Sequence, residues 1–66
     1  MKINWHDASE KPTEDKSVLA EISMATPVDV LRQYAVLKFY DDWVLGFSGE
    51  VIEEYGWEVV KWTYLD

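Results

Sequence analysis

The chain has 66 residues and a formal net charge of −7, from thirteen acidic and six basic side chains. That length holds one domain, 1–66, and the charge opposes the phosphate attraction behind nucleic-acid binding and the pull of anionic membrane surfaces. The sequence contains no cysteine, which excludes disulfides and thiolate metal sites and leaves apolar burial to hold the fold.

Material for a core is present: 48% of the residues are hydrophobic, with four tryptophans, four tyrosines and two phenylalanines. Lys2 is followed by no apolar run of the kind a signal peptide carries, and no stretch reaches the ~18 apolar residues of a membrane span, so a cytoplasmic location is expected. After a short apolar start at Ile3 and Trp5, residues 9–16 are polar and read as a surface loop. Residues 17–24 alternate Val18, Ala20, Ile22 and Met24 with Leu19, Glu21 and Ser23, which is the period of a half-buried strand.

Between this strand and the next, two readings compete. Thr26 as a cap, Pro27 at the first position and Asp29 in the first turn predict a helix over 27–34, whereas the flanking strands predict an extended hairpin loop. Residues 33–40 place Ala35, Leu37 and Phe39 on one face and Tyr34, Val36, Lys38 and Tyr40 on the other, one toward the core and one half wet. Asp41-Asp42 then predicts a tight turn, because aspartate tolerates positive φ, and 43–47 run back as a strand. Ser48 is placed to cap a short helix over 50–55 that Gly56 ends, and 57–65 form the last strand. In that strand Val60, Trp62 and Tyr64 alternate with Trp57, Val59, Lys61 and Thr63. The expected class is α+β, mainly β: a small twisted antiparallel sheet of about four strands with one or two short helical segments. Trp5, Trp43 and Trp62 are assigned to the core, and Trp57 outward.

Catalysis needs a nucleophile, an acid or base of tuned pKa and a means of stabilising charge. The only histidine, His6, stands beside Asp7, and it reads as a solvent-exposed histidine in a turn rather than as half of a dyad. Gly46-Phe47-Ser48-Gly49 lacks the Gly-x-Ser-x-Gly spacing of a nucleophile elbow, and its glycines read as turn residues. Asp41-Asp42 and Glu50, Glu53, Glu54 lack the alternating oxygen ligands and central glycine of a calcium loop, so a solvated turn and a solvated helical face are expected. The aromatic residues lack the basic groove that a single-stranded nucleic-acid site combines with them. The expectation is therefore a protein that is not an enzyme and uses no cofactor or metal.

Trp5, Pro12, Val18-Leu19, Phe39-Tyr40 with Trp43, and the closing Val60-Lys61-Trp62 with Leu65 follow one another in an order that resembles domain of unknown function family 551, small phage and prophage proteins. The chain differs from the family order in Glu10-Lys11 before Pro12 in place of leucine, in Lys61 where histidine is common, and in a longer segment over 25–32. The resemblance implies a phage or bacterial intracellular setting and a small β-rich fold, and it lends no catalytic residue.

The functional expectation is a non-enzymatic module that binds another protein through an acidic and aromatic face made of Asp41, Asp42, Glu53, Glu54, Tyr55 and Trp57. Its partner is a host or phage protein whose identity the sequence leaves open, one version being inhibition of a host nucleic-acid-binding system by occupying its basic groove, with no direct contact to nucleic acid or membrane. The alternative is a structural or assembly protein acting as a homodimer through a strand edge or an apolar face such as Trp57, Val59 and Lys61.

Overall fold

The computed structural model describes residues 3–65; Met1, Lys2 and Asp66, at the ends of the domain expected over 1–66, lie outside the described residues. Five antiparallel strands form one sheet: β1 (His6–Asp7), β2 (Val18–Ala25), β3 (Val30–Tyr40), β4 (Asp42–Leu45) and β5 (Glu58–Tyr64), in the order β1-β5-β2-β3-β4. The count exceeds the four expected because β1 is only two residues long, too short to show an alternation. It exists by pairing His6 with Trp62 and Asp7 with Lys61.

The alternation in β2 becomes a buried face, with Val18, Ala20 and Ile22 at 0–1% exposure. Leu37, Trp43, Ile52 and Trp62 complete the core cluster, and Phe39, Trp57, Val59 and Tyr64 pack around it. Each such aliphatic side chain taken from water stabilises the fold by ~1.5–3 kcal/mol. The residues over 9–16 arch across this face. Pro12 is buried, Trp62 Nε1 donates to Glu10 O at 2.8 Å, and Thr13 N–H donates to the Tyr64 hydroxyl oxygen at 3.0 Å.

No helix forms over 27–34; the hairpin reading holds, with a loop shortened to residues 26–29. Thr26 Oγ1 accepts the Asp29 amide at 2.9 Å and donates to Asp29 O at 2.8 Å, closing a tight turn from which β3 departs at Val30. The threonine that reads as a helix cap serves the turn equally well, since its oxygen can take either set of amides. Eight cross-strand pairs from Val18↔Leu37 to Ala25↔Val30 then outweigh a helix too short to be stable alone.

At the next reversal Asp41 takes φ 65° and Tyr40 pairs with Asp42. β4 ends at Leu45, before the expected 47, and Phe47 is fully exposed. In place of a helix over 50–55 there is a single 3₁₀ turn, Ile52–Tyr55, preceded by extended Val51 with no side-chain cap. Val51 is held by a bridge to Val44, which leaves only four residues to coil. Ser48 Oγ accepts the Glu50 amide at 3.3 Å instead of capping a helix, and Gly56 ends the turn at φ 87°. No α-helix occurs among the described residues, and no helix there is long and apolar enough to cross a membrane.

β5 departs from simple alternation. Glu21 pairs with Lys61 but Ile22 pairs with Val59, so Val60 is an extra residue in a bulge. The parity of everything before it inverts. Trp57 and Val59 turn to the core side, while Val60 points outward at 38% exposure. The outward assignment of Trp57, and the apolar face expected of Trp57, Val59 and Lys61, are thereby corrected. Trp5 is corrected in the other sense: it lies half-buried outside the core cluster, 6.2 Å from the Tyr34 ring and under Lys61 Nζ at 4.7 Å.

Candidate interaction site

The 3₁₀ turn builds the site. Ile52, at 2% exposure, plugs the core, and so short a turn throws Glu53, Glu54 and Tyr55 outward. Gly56 supplies the left-handed residue that reverses the chain, a conformation that costs a side-chain-bearing residue ~1–2 kcal/mol. Trp57 N–H then donates to Ile52 O at 3.2 Å, which fixes the indole beside the turn.

Trp57 lines two grooves. The larger, about 500 Å³, is lined also by Trp43, Glu53, Glu58 and Lys11. Lys11 Nζ lies 5.3 Å from the Phe39 ring centre and 5.6 Å from that of Trp43, and donates to Ala8 O at 3.0 Å. An ammonium group thus already rests against this aromatic floor, as expected where ring quadrupoles face a cation. The smaller groove, about 220 Å³, is lined by Ile22, Leu45, Ile52, Tyr55 and Glu50 beside Trp57. Hydrogen bonding to Glu50 pushes the Tyr55 hydroxyl above its ordinary value, so that it stays a neutral donor.

Of the six residues expected to make one face, Glu53, Tyr55 and Trp57 come together around these grooves. Glu54 is exposed on the same turn and lines neither. Asp41 and Asp42 stand at the β3–β4 hairpin tip, also outside both grooves. Trp43, Glu58 and Lys11 belong to the site although sequence reasoning omitted them. Glu58 adjoins Trp57 and carried a local signal; Lys11 and Trp43 arrive from distant segments and carried none.

His6 is neither exposed nor paired with Asp7. Its ring stacks on Trp62 at 4.4 Å and its Nδ1 lies 2.8 Å from Glu10, while Asp7 Oδ2 accepts the Ser9 amide at 3.0 Å. That backbone hydrogen bond holds the Asp7 carboxyl below its usual value. Neighbouring strand residues face opposite ways, which separates the two side chains. Among the described residues no group of three or more histidine or acidic side chains is placed to hold a metal ion. Comparison with protein-family models, curated proteins and solved structures gives no match.

Proposed function

We propose that the chain is a non-enzymatic, acidic protein-binding module of the phage and prophage kind implied by its resemblance to domain of unknown function family 551. It acts in the cytoplasm by occupying the basic groove of a host nucleic-acid-binding protein. The observation that carries the reading is the groove of about 500 Å³ whose lining brings together Trp43, Trp57, Glu53 and Glu58. A lysine or arginine side chain inserted there would lay its aliphatic stem on indole and its charge between carboxylates, the combination that makes tryptophan a frequent binding hot spot. The remaining acidity steers a basic partner toward the chain.

The test is capture from bacterial lysate on the immobilised chain at low and moderate salt, with elution by duplex DNA. Basic proteins should be retained, released by DNA, and lost in the variant Glu53→Lys/Glu58→Lys. Retention of no basic protein at either salt, or equal retention by that variant, would overturn the reading.

A further inference from the structure

We infer that β3 carries a self-complementary open edge through which two copies of the chain pair antiparallel about a two-fold axis. β4 covers β3 only from Leu37 to Tyr40, and on that side no strand among the described residues pairs with β3 from Val30 to Val36. The other edges are guarded. β4 is bridged on its outer side by Val44↔Val51 and by Leu45 N–H to Glu50 O, and β5 is shortened as a template by β1 and by the bulge at Val60.

The direction of the free backbone groups follows from the hairpin. Thr26 N–H donates to Asp29 O at 2.7 Å, so this pair is hydrogen-bonded, and the unbroken β2–β3 register alternates from it. Leu31, Gln33 and Ala35 therefore aim their backbone at β2, and Val30, Arg32, Tyr34 and Val36 aim theirs away. Gly46 N–H, which reaches Val36 O at 3.0 Å from the β4 side, agrees with that parity.

Both ends of the run are closed from within the chain. Asp29 Oδ1 accepts the Val30 amide at 2.7 Å, and Gly46 takes the Val36 carbonyl. Between them lie the N–H and C=O of Arg32 and of Tyr34, two residues apart, the spacing at which an antiparallel copy returns the same pattern. With Gln33 on the axis, Arg32 faces the partner's Tyr34 and Tyr34 faces the partner's Arg32, giving four backbone hydrogen bonds.

The side chains favour a second copy. In this register each Arg32 guanidinium lies against a tyrosine ring, whereas a shift that puts the arginines opposite one another joins like charges. The acid-free run from Val30 to Tyr40, with Arg32 and Lys38 as its charges, is where two chains of net charge −7 can approach. Pairing also covers Val30, Leu31 and Tyr34, which are 53, 46 and 57% exposed.

Because self-pairing brings two −7 chains together, added salt should strengthen it, while the same salt weakens the capture of basic proteins; either proposal can therefore fail alone. Sedimentation equilibrium should show the mass rising from one chain toward two between micromolar and millimolar concentration, further at higher salt. Amide hydrogen exchange on the unaltered chain should slow at Arg32 and Tyr34 as concentration rises, with Leu31 and Gln33 unchanged. In Arg32→Pro the missing N–H is one that points away from β2, so circular dichroism should be retained and the mass should stay that of one chain. A single-chain mass at every concentration and salt, or concentration-independent exchange at Arg32 and Tyr34, overturns the inference. A dimer that persists in Arg32→Pro also overturns it. The exchange measurement decides the matter even if that variant fails to fold.

Discussion

Trp62→Phe should destabilise the chain far more than the size of the change suggests. Trp62 is 2% exposed, stacks on His6, meets Tyr64 edge-on at 4.9 Å, and is the sheet residue whose Nε1 holds Glu10 O beneath the 9–16 arch. Phenylalanine cannot donate, and a carbonyl left without a partner at a part-buried site costs ~1–3 kcal/mol. Replacing an indole by a phenyl ring also gives up roughly 50 Å² of buried apolar surface, about 1 kcal/mol. The two together come to about 2–4 kcal/mol, against a total stability of roughly 3–10 kcal/mol for a chain of 66 residues. The midpoint of thermal unfolding should drop by roughly 10–30 °C. Trp5→Phe, at a half-buried ring outside the core cluster, should cost less than about 1 kcal/mol. Urea unfolding followed by far-ultraviolet circular dichroism measures both without relying on the altered fluorophore. A Trp62→Phe variant within about 0.5 kcal/mol of the unaltered chain, or a larger loss for Trp5→Phe than for Trp62→Phe, would refute the argument that the arch is pinned through this indole.

Tyr40→Phe should flatten stability against pH at both ends. The Tyr40 hydroxyl donates to Asp15, which holds the Asp15 carboxyl below its usual value, with Lys38 at 3.7 Å adding to the effect, and pushes Tyr40 up. The Asp15 contribution is present above the ordinary aspartate range and lost as pH falls through the depressed folded value. The Tyr40 contribution is present below the ordinary tyrosine range and lost as pH rises through the raised one. Chemical denaturation across pH reads both limbs, and unchanged slopes in Tyr40→Phe would count against the pairing. Deleting Val60 removes only the extra residue: Val59 then directly precedes Lys61 in plain alternation, Trp57, Val59, Trp62 and Tyr64 keep the core face, and the cost should stay within about 1 kcal/mol. Val60→Ala should likewise lie within about 1 kcal/mol of the parent in a thermal melt, and a deletion variant that loses most of its stability would refute the reading of Val60 as a dispensable extra residue.

β2 and the part of β3 from Ala35 onward were legible because they keep one parity and bury one face, so Val18, Ala20 and Ile22 and then Leu37 and Phe39 declare themselves in the sequence, whereas the start of β3 at Val30 to Arg32 is exposed and did not. β5 was legible as a strand but the facing of its first residues was not, because its bulge is a relation between two strands. Nothing in Glu58 to Lys61 announces that Ile22 will meet Val59 while Glu21 meets Lys61. The same limit governed the site. Glu53, Tyr55 and Trp57 are neighbours in sequence and were found together, whereas Trp43 and Lys11 reach the groove from a strand and an arch set by distant pairing. Thr26-Pro27-Val28-Asp29 left two readings open for a different reason: its capping chemistry is common to helix starts and tight turns, and only the strand on either side decides between them.

The net charge also takes on spatial meaning once the sheet is known. Most acidic side chains sit in the arch, the turns and the 3₁₀ segment, and β3 has none across its eleven residues. A uniform coat of charge would explain solubility and nothing more. An uneven one separates two kinds of contact. Glu53 and Glu58 beside Trp57 present a surface that attracts cations and loses strength in salt. The edge at Arg32 and Tyr34 presents unpaired backbone that like-charged copies can share more readily as salt screens them. Opposite salt dependences from one chain would follow from where the fold places its acids, and equal dependences would mean that net charge alone governs both contacts.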